Sequence, residues 1–500
     1  MKESLDFIYK EQKELSTLGG IAALLGWDQM TYMPKLGAME RSEQSALISK
    51  LIHERVISDK FWQHIQDLST NLDSLSENDK AIVKRLEEDV EKSRKIPSEF
   101  VERISKTTTL AYQAWEEARG KNDYKVFSPH LEKIIDLEKE YCGYINLPGH
   151  RYDSLLDDYE EGMTVEKLKH EFSFLKKELI EILEKIKSSL IYENQKEIDV
   201  KLNEEAHRKI CNVVIEKMQL PKDKARLDVS THPFTTSMGN DDVRITTNFG
   251  RGDLLFSFFS TVHEAGHALY ELNMPRDDFK NTVISDSPSL GLHESQSRFW
   301  ENMIGRSKPF WKLFYPFFKE ESTHLYNKVT SDEWYRYVNQ VKPSMIRVEA
   351  DELTYCLHVI LRFEIEVGLM EDKFSVNSLP QLWNEKMDEM LGITPKNDVE
   401  GVLQDMHWSG GSFGYFPTYA IGSIYSSQLF RKISEVNDKL NDEIEQGYFT
   451  NIIMWLQDNI HKYGRLLTAD EIIKKACGEG LNSRIFVDYL KDKYYKLYEV

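Results

Sequence analysis

His263-Glu264-Ala265-Gly266-His267 is the stretch that says most about how this chain folds and what it does. On a helix, residues four apart lie on one face, so His263 and His267 can both point at a single metal ion. Glu264 projects about 100° round the helix from His263. It therefore lies beside the metal, where it can take a proton from a bound water. This is the arrangement of zinc-type peptidases, and it predicts a helix that carries a metal site.

A catalytic zinc site has three protein ligands and a water, so a third ligand is expected elsewhere in the chain. Residues 293–298 follow a helix-start signal, and they lie far enough beyond His267 for a second helix to return to the first. We predict Glu294 as the third ligand. His293 is the adjacent alternative, since imidazole also suits zinc. Glu271 is disfavoured because it lies one turn beyond His267 on the same helix and would crowd the ion.

Composition indicates a helix-rich chain. Of its 500 residues, 41% are hydrophobic and 29% charged, with only 14 prolines and 25 glycines. That length exceeds one ordinary core, so we expect packed subdomains or one large helical body. The formal net charge of −19 argues against nucleic acid and anionic membranes as partners, since both require a basic surface.

Cysteine usage and the absence of long apolar runs indicate a cytoplasmic protein. The four cysteines are far apart and form no C-x-x-C pair, so we expect reduced, buried thiols. The first residues are polar, unlike a signal peptide. No stretch approaches the roughly 18 apolar residues of a transmembrane helix.

Local patterns predict mostly helices. Residues 1–60 predict a helix, a turn near residues 33–37 and a second helix. Ser98 and Thr164 are candidate N-caps of two further helices. Other segments with a helical pattern are 296–306, 332–372, 420–445 and 468–497.

The pattern of residue types changes at residues 226–249, where two short β-branched runs predict a small sheet or hairpin. Residues 238–241, between the two runs, have a turn-like sequence. Asp253 is a candidate N-cap for the following helix, which carries the two histidines. The expected fold is therefore mainly α, with one small β element beside the metal helix.

An ordered series of motifs makes the chain resemble the Taq-type metallocarboxypeptidases. The resemblance implies a two-lobed helical body with a deep substrate groove, often a homodimer, that removes single C-terminal residues from peptides with broad preference. It implies His263, His267 and Glu294 as ligands of zinc or cobalt, and Glu264 as the base. The motifs lie at residues 27–34, 152–157, 162–164, 232–234, 242–247, 263–267, 293–298, 346–355 and 404–408.

The reaction also needs donors for the oxyanion that forms when water attacks an amide, and each can contribute ~3–4 kcal/mol. Residues 407–419 supply a histidine and two tyrosines in a glycine-rich loop. In the related oligopeptidases a histidine and a tyrosine so arranged face the metal. This suggests His407 and Tyr419, with Tyr415 as the alternative; ordinary packing roles remain open for all three.

An exopeptidase must hold the free carboxylate of its substrate, a task that suits the two-pronged guanidinium of arginine. Arg347 is the first candidate and Arg244 the second, with a structural ion pair as the alternative for each. Asp351 and Glu352 are candidates for orienting a metal-bound histidine from behind. His232 is a candidate substrate contact, because a strand beside the metal helix can pair with an extended peptide.

Two other interpretations compete with a carboxypeptidase of one domain spanning residues 1–500. One is a peptidase of the same fold that cleaves internal bonds or releases dipeptides. The other is a helical module that binds peptides without cleaving them. A lost base or ligand would favour the binding module, but Glu264, both histidines and Glu294 are all present.

Overall fold

The fold is mainly helical, as the sequence predicts. The computed structural model describes residues 1–198, 200, 202–250, 254–322 and 328–500. Within these ranges, no helix is long and apolar enough to cross a membrane. The helices are α1 (Lys2–Thr31), α2 (Ala38–Val56), α3 (Asp59–Ser69), α4 (Glu77–Arg94), α5 (Ser98–Lys121), α6 (Tyr124–Ile145), α7 (Asp153–Leu156), α8 (Val165–Lys187), α9 (Leu190–Glu193), α10 (Glu204–Lys217), α11 (Leu254–Leu272), α12 (Leu290–Arg298), α13 (Lys308–Glu321), α14 (Ser331–Val338), α15 (Tyr355–Met370), α16 (Leu379–Leu391), α17 (Pro417–Val436), α18 (Leu440–Gln446), α19 (Thr450–Asn459), α20 (Ala469–Cys477) and α21 (Ser483–Tyr498).

Of the three predicted helix caps, one is confirmed, one is wrong and one lies outside the described residues. The Thr164 side chain accepts a hydrogen bond from the backbone N–H of Lys167 and so caps α8. Ser98 is already the first residue of α5, and the preceding Pro97, in an extended conformation, takes the N-cap position. The third candidate, Asp253, is the residue that is not described.

The predicted helix over residues 332–372 is interrupted. Helix α14 ends at Val338 and α15 begins only at Tyr355. Pro343 in between cannot donate a helical hydrogen bond. Asp351 accepts hydrogen bonds from the backbone N–H groups of residues 353 and 354, which holds the chain in a turn. This irregular stretch places Arg347, in a short 3-10 turn, at a cavity that His263 and His267 also line.

The small sheet has three strands, β1 (Ala225–Val229), β2 (Thr235–Gly239) and β3 (Asp242–Thr247), in the order β1-β3-β2. Strand β3 pairs in parallel with β1 and antiparallel with β2, so the hairpin joins β2 to β3. Residues 232–234 belong to the predicted β element but lie outside its strands. They form the connection from β1 to β2, where Pro233 has no N–H for a strand ladder.

The side chains of the described residues form two hydrophobic cores. The smaller core combines α1, α3 and α4 with Ile284, and the larger core extends from α5 to the C-terminus. Helix α11 lies in the larger core, and most of its residues are buried. On one side it packs against the sheet, where the Thr247 hydroxyl donates to the backbone carbonyl of Ser257. The sheet is therefore fixed to the helix that carries the two histidines.

Two glycines let α11 and α17 approach α12 closely. A Cβ atom at Gly266 of α11 would lie 2.8 Å from the carbonyl oxygen of Gln296, and one at Gly422 of α17 would lie 2.6 Å from Cγ of Glu294. Any larger side chain at either position would push α12 away. The second helix of the predicted metal site is thus held between the first helix and α17.

Candidate active site

Helix α11 places His263 and His267 one turn apart on the same face, with their ring centroids 4.9 Å apart. Helix α12 brings Glu294 to them. Its first turn is capped by the Ser289 side chain, which accepts from the N–H of Leu292. The buried Glu160 carboxylate accepts from the N–H of Gly291 at 2.9 Å and anchors the same turn.

The three predicted ligands meet at one point. Glu294 Oε2 lies 3.6 Å from His263 Nε2 and 3.4 Å from His267 Nε2. Two atoms bound tetrahedrally at about 2.0–2.2 Å from one zinc ion are about 3.3–3.6 Å apart. The spacing and the donor set, two imidazole nitrogens and a carboxylate oxygen, therefore fit a divalent metal. Within the described ranges this is the one cluster of such residues that could hold a metal ion.

The two alternatives for the third ligand bond to each other instead. His293 Nε2 lies 2.8 Å from Glu271 Oε1. The His293 ring packs beside that of His267, with a centroid distance of 4.5 Å. His293 therefore supports the wall of the site, while Glu294 occupies the position between the two α11 histidines.

Glu301 and Arg298 hold two of the predicted ligands, His263 and Glu294, from behind. Nδ1 of His263 lies 2.8 Å from Glu301 Oε2, on the opposite edge of the ring from Nε2. Arg298 donates to Glu294 Oε1 at 2.7 Å and to Glu301 Oε2 at 3.1 Å. With one carboxylate oxygen held by Arg298, Glu294 presents the other, Oε2, to the histidines.

Burial and neighbouring charges set the protonation states of Glu294, His267 and His263. Burial opposes ionisation of Glu294, but Arg298 and His263 hold its pKa well below the usual range. Burial lowers the pKa of His267 to about 3, so this imidazole is neutral. Burial also opposes a charge on His263, but the Glu294 and Glu301 carboxylates raise its pKa. A divalent cation would replace the proton that these carboxylates favour on His263.

The predicted orienting role of Asp351 and Glu352 is wrong. Glu352 is buried among other partners, accepting from the Tyr489 and Tyr494 hydroxyls at 2.9 and 3.0 Å and pairing with Lys493. Asp351 binds backbone N–H groups of its own turn. These partners could not be read from the acidic pattern.

The predicted base, Glu264, is buried beside the three predicted ligands. All four side chains line one cavity. The Thr235 hydroxyl lies 2.6 Å from its Oε2 and 3.0 Å from its backbone carbonyl. Burial raises the pKa of Glu264, while the neighbouring His263 and the bond from Thr235 oppose the rise. A carboxylate with a raised pKa suits a group that takes and returns a proton.

A cavity of about 930 Å³ opens in front of the ligands. Its walls combine polar groups with apolar surface from α11 and from the turn around Arg347. Two of the predicted oxyanion donors, Tyr415 and Tyr419, are among its lining residues, as are Arg347 and the exposed His232. The lining residues within the described part of the chain do not include His407 or Arg244.

His407 lies behind Tyr419 instead of facing the cavity. Its Nε2 is 3.4 Å from the Tyr419 hydroxyl. Burial lowers the pKa of His407 to about 4, with Asp405 opposing and Arg347 adding to the shift. The imidazole is therefore neutral at pH 7. Tyr419, which is partly buried, has a pKa well above its usual value and stays protonated, able to donate a hydrogen bond.

The two candidate arginines lie in different places. Arg347, which is buried, binds Asp405 Oδ1 through Nε and Nη2, at 3.2 and 2.8 Å, and donates through Nη1 to the Tyr355 hydroxyl. Arg362 binds the other oxygen of Asp405. Arg244 pairs with Asp242 and stacks on Trp27, 4.4 Å from the ring centroid.

The sequence interpretation did not find three residues that bond to the predicted ligands and base: Glu301, Arg298 and Thr235. Arg298 and Glu301 lie four and seven positions beyond Glu294, a spacing that places them on its helical face. A search for partners of the ligands on that face could have found them. Thr235 gave no such signal, because it reaches Glu264 only through the folding of the sheet onto α11.

Comparison with known proteins decides which family this arrangement belongs to. The model of the family described as carboxypeptidase Taq (M32) metallopeptidase matches residues 7–494. The chain belongs to this family. The prediction of a metallocarboxypeptidase is thereby confirmed: the protein is a peptide hydrolase of the M32 family, whose chemistry requires a divalent metal.

Relatives of the M32 family match over almost the full length. Carboxypeptidase 1 of Bacillus subtilis is 40% identical over 99% of this chain and 98% of its own. Thermostable carboxypeptidase 1 of Thermus thermophilus is 36% identical over 97% of each chain. The crystal structure of an M32 carboxypeptidase from Deinococcus radiodurans superposes with a TM-score of 0.96 at 34% identity, over 100% of both chains. That of Pyrococcus furiosus carboxypeptidase gives a TM-score of 0.94 at 39% identity, over 99% of both.

Proposed function

We propose that this metallocarboxypeptidase releases single C-terminal amino acids from peptides with broad side-chain preference, using Glu264 as its base. The observation that carries the proposal is the meeting of His263 Nε2, His267 Nε2 and Glu294 Oε2 in the cavity that Glu264 also lines. Broad side-chain preference is supported by cavity walls that mix apolar and charged groups.

The metal we propose is zinc, with cobalt as the alternative, since both accept two imidazoles and a carboxylate. His263, His267 and Glu294 would hold it. When bound, such an ion polarises the scissile carbonyl and makes water acidic enough to attack near neutral pH.

Glu264 moves the proton in this proposal. It takes a proton from the attacking water and later returns it to the nitrogen of the leaving amino acid, so it ends the cycle ionised. The raised pKa of Glu264 supports both transfers, because a very weak base could not accept the proton.

Tyr419 and Tyr415 are proposed to donate hydrogen bonds to the oxyanion, because both hydroxyl-bearing side chains line the cavity. His407 is proposed to act through Tyr419, which it approaches from behind. Its neutral state keeps a second positive charge out of this wall.

Arg347 is proposed to bind the substrate carboxylate. It lines the cavity, and Asp405 fixes its guanidinium from the far side. Arg244, the second candidate, stacks on Trp27 and is proposed to hold the sheet to α1. His232 lines the cavity, and we propose that it contacts the substrate backbone.

Hydrolysis of paired peptides tests the proposal. One peptide has a free C-terminus and the other is its C-terminal amide, and each is incubated with metal-depleted enzyme to which zinc or cobalt is restored. Mass spectrometry should show stepwise loss of single residues from the free acid alone. Equal internal cleavage of both peptides would instead indicate an oligopeptidase, and no cleavage with either metal would contradict a catalytic role.

We also propose a cytoplasmic homodimer built from one catalytic domain over residues 1–500. The four cysteines are free thiols, which suits a reducing compartment. The Gln12 side chain accepts from the N–H of Val283, which joins α1 to the segment between α11 and α12. Strongly exposed apolar residues, Leu36 and Met39, lie where α1 turns into α2. Light scattering of the wild type and of Met39→Glu tests whether this turn lies in the dimer interface.

A further inference from the structure

Strand β2 reaches the active site through one side chain. Thr235 is its first residue, and its hydroxyl contacts both the Oε2 atom and the backbone carbonyl of Glu264. At 2.6 Å the contact with Oε2 is short, as expected when a hydroxyl donates to an ionised carboxylate. No other side-chain hydrogen bond to the Glu264 carboxylate is present among the described residues.

The position of Thr235 is fixed from both sides. The preceding residue, Phe234, accepts from the N–H of Thr246 at 2.9 Å, and its own N–H donates to the Thr246 hydroxyl at 3.0 Å. Thr247, next on β3, donates to the backbone carbonyl of Ser257 in α11. The β-branched side chain of threonine also has few rotamers. A closed path of bonds therefore runs from α11 through β3 and back to Glu264.

We infer that Thr235 is a positioning residue for the general base: its hydroxyl holds Oε2 of Glu264 and leaves Oε1 for the attacking water. This inference rests on the proposed role of Glu264 and adds the group that orients it. A free glutamate side chain has several rotamers, most of which would turn the carboxylate away from the water. Holding one oxygen selects the rotamer before the substrate arrives.

The two contacts of the hydroxyl also fit a complete proton cycle. A hydroxyl has one proton, so it can donate to Oε2 or to the backbone carbonyl, but not to both at once. When Glu264 accepts the proton of water on Oε1, its Oε2 remains an acceptor, so the Thr235 hydroxyl can keep donating to Oε2. Thr235 gains and loses no proton over the cycle.

The test compares Thr235→Val, which replaces the hydroxyl with a methyl of similar size, with Thr235→Ser, which keeps it. Loss of a hydrogen bond to a charged group corresponds to about a 10- to 100-fold change. We expect kcat of Thr235→Val to fall by about that factor, with KM within about two-fold, bound metal at the wild-type ratio and little change in Tm. Thr235→Ser should recover kcat to within about three-fold of wild type. Thr236→Val, at the next position of the same strand, is the matched control and should keep wild-type rates.

A double mutant separates positioning of the base from a general structural effect. In the Glu264→Gln background, adding Thr235→Val should change the residual rate by less than about two-fold, because the carboxylate it would hold is gone. Full kcat in Thr235→Val, an equal loss in Thr235→Ser, or loss of metal in step with kcat would each overturn the inference. Retained turnover in Glu264→Gln alone would overturn the proposed base instead, so the two failures are distinguishable.

Discussion

Glu301 accepts a hydrogen bond from Nδ1 of His263 at 2.8 Å, on the opposite edge of the ring from the nitrogen that faces Glu294. This bond fixes both the tautomer and the orientation of the ring. Burial opposes ionisation of Glu301, but the cation Arg298 and the bond from His263 lower its pKa to about 2. Glu301 is therefore an anion at every pH at which the protein would be studied. The candidate metal site is therefore arranged at two levels, by the three predicted ligands and by the residues that bind them.

We predict that Glu301→Gln weakens metal binding by about 10- to 100-fold, because the ring loses its anionic partner. Competition with a chelator measures the affinity. Glu271→Gln is the matched control, since Glu271 makes the same bond, also at 2.8 Å, to His293, which does not face the ion. Equal affinities of Glu301→Gln and wild type would contradict the prediction.

Glu264→Gln and His263→Ala should fail in different ways. The first keeps all three ligands and should bind metal normally, while kcat falls by about 10²- to 10⁴-fold, the range of general acid–base catalysis. The second removes a ligand and should lose the metal itself. Elemental analysis of both variants, beside their rates, separates the two effects; substantial turnover in Glu264→Gln would remove this residue from the role of base.

Arg347→Lys should lower kcat/KM for peptides with a free C-terminus by about 10-fold or more, because lysine cannot make the two-pronged bond to a carboxylate. Arg244→Lys, outside the cavity, should leave the rate within about two-fold. Tm is measured alongside, since Arg347 also pairs with the buried Asp405. The opposite ranking of the two variants would transfer the role to Arg244.

Glu138 on α6 should make stability depend on pH. Burial, with Asp158 and Glu366 nearby, raises its pKa to about 8. An unfolded glutamate ionises near pH 4.3, at about its ordinary pKa. The folded state therefore holds the extra proton between about pH 4.3 and 8, and the stability that Glu138 contributes falls across that window.

The Glu138→Gln variant stays neutral. The Tm of the variant minus the Tm of the wild type should therefore increase as the pH rises from 5 to 8. Glu132→Gln, at an exposed position of the same helix, should show no such trend. A constant Tm difference across the window would show that Glu138 is not the group responsible.

Much of the site could be predicted because its signals are local. The spacing of His263 and His267 follows from helix geometry alone, and Glu294 from the helix start that precedes it. The misplaced contacts, by contrast, involve positions whose neighbours are distant in sequence. Glu352 pairs with residues of α21, His407 turns behind Tyr419, and Arg244 stacks on Trp27. No pattern within one segment records such packing.

The fold shows the same division. The helices and the small β element were predicted from periodicity and β-branched runs. The parallel pairing of β1 with β3 was not, because it depends on the path between strands. Pro343 offered a local warning against the continuous helix predicted over residues 332–372.

The close approach at Gly266 and Gly422 has a consequence for building such a centre elsewhere. The distance between Glu294 and the two histidines depends on the absence of a Cβ atom at Gly266 and Gly422, because a single methyl group at either position would separate the helices. Copying the two histidines and two glutamates into another helical protein would therefore reproduce the sequence motif without the distances between its side chains. A design would also have to keep glycine at both helix contacts, so that the helices can approach as closely as they do here.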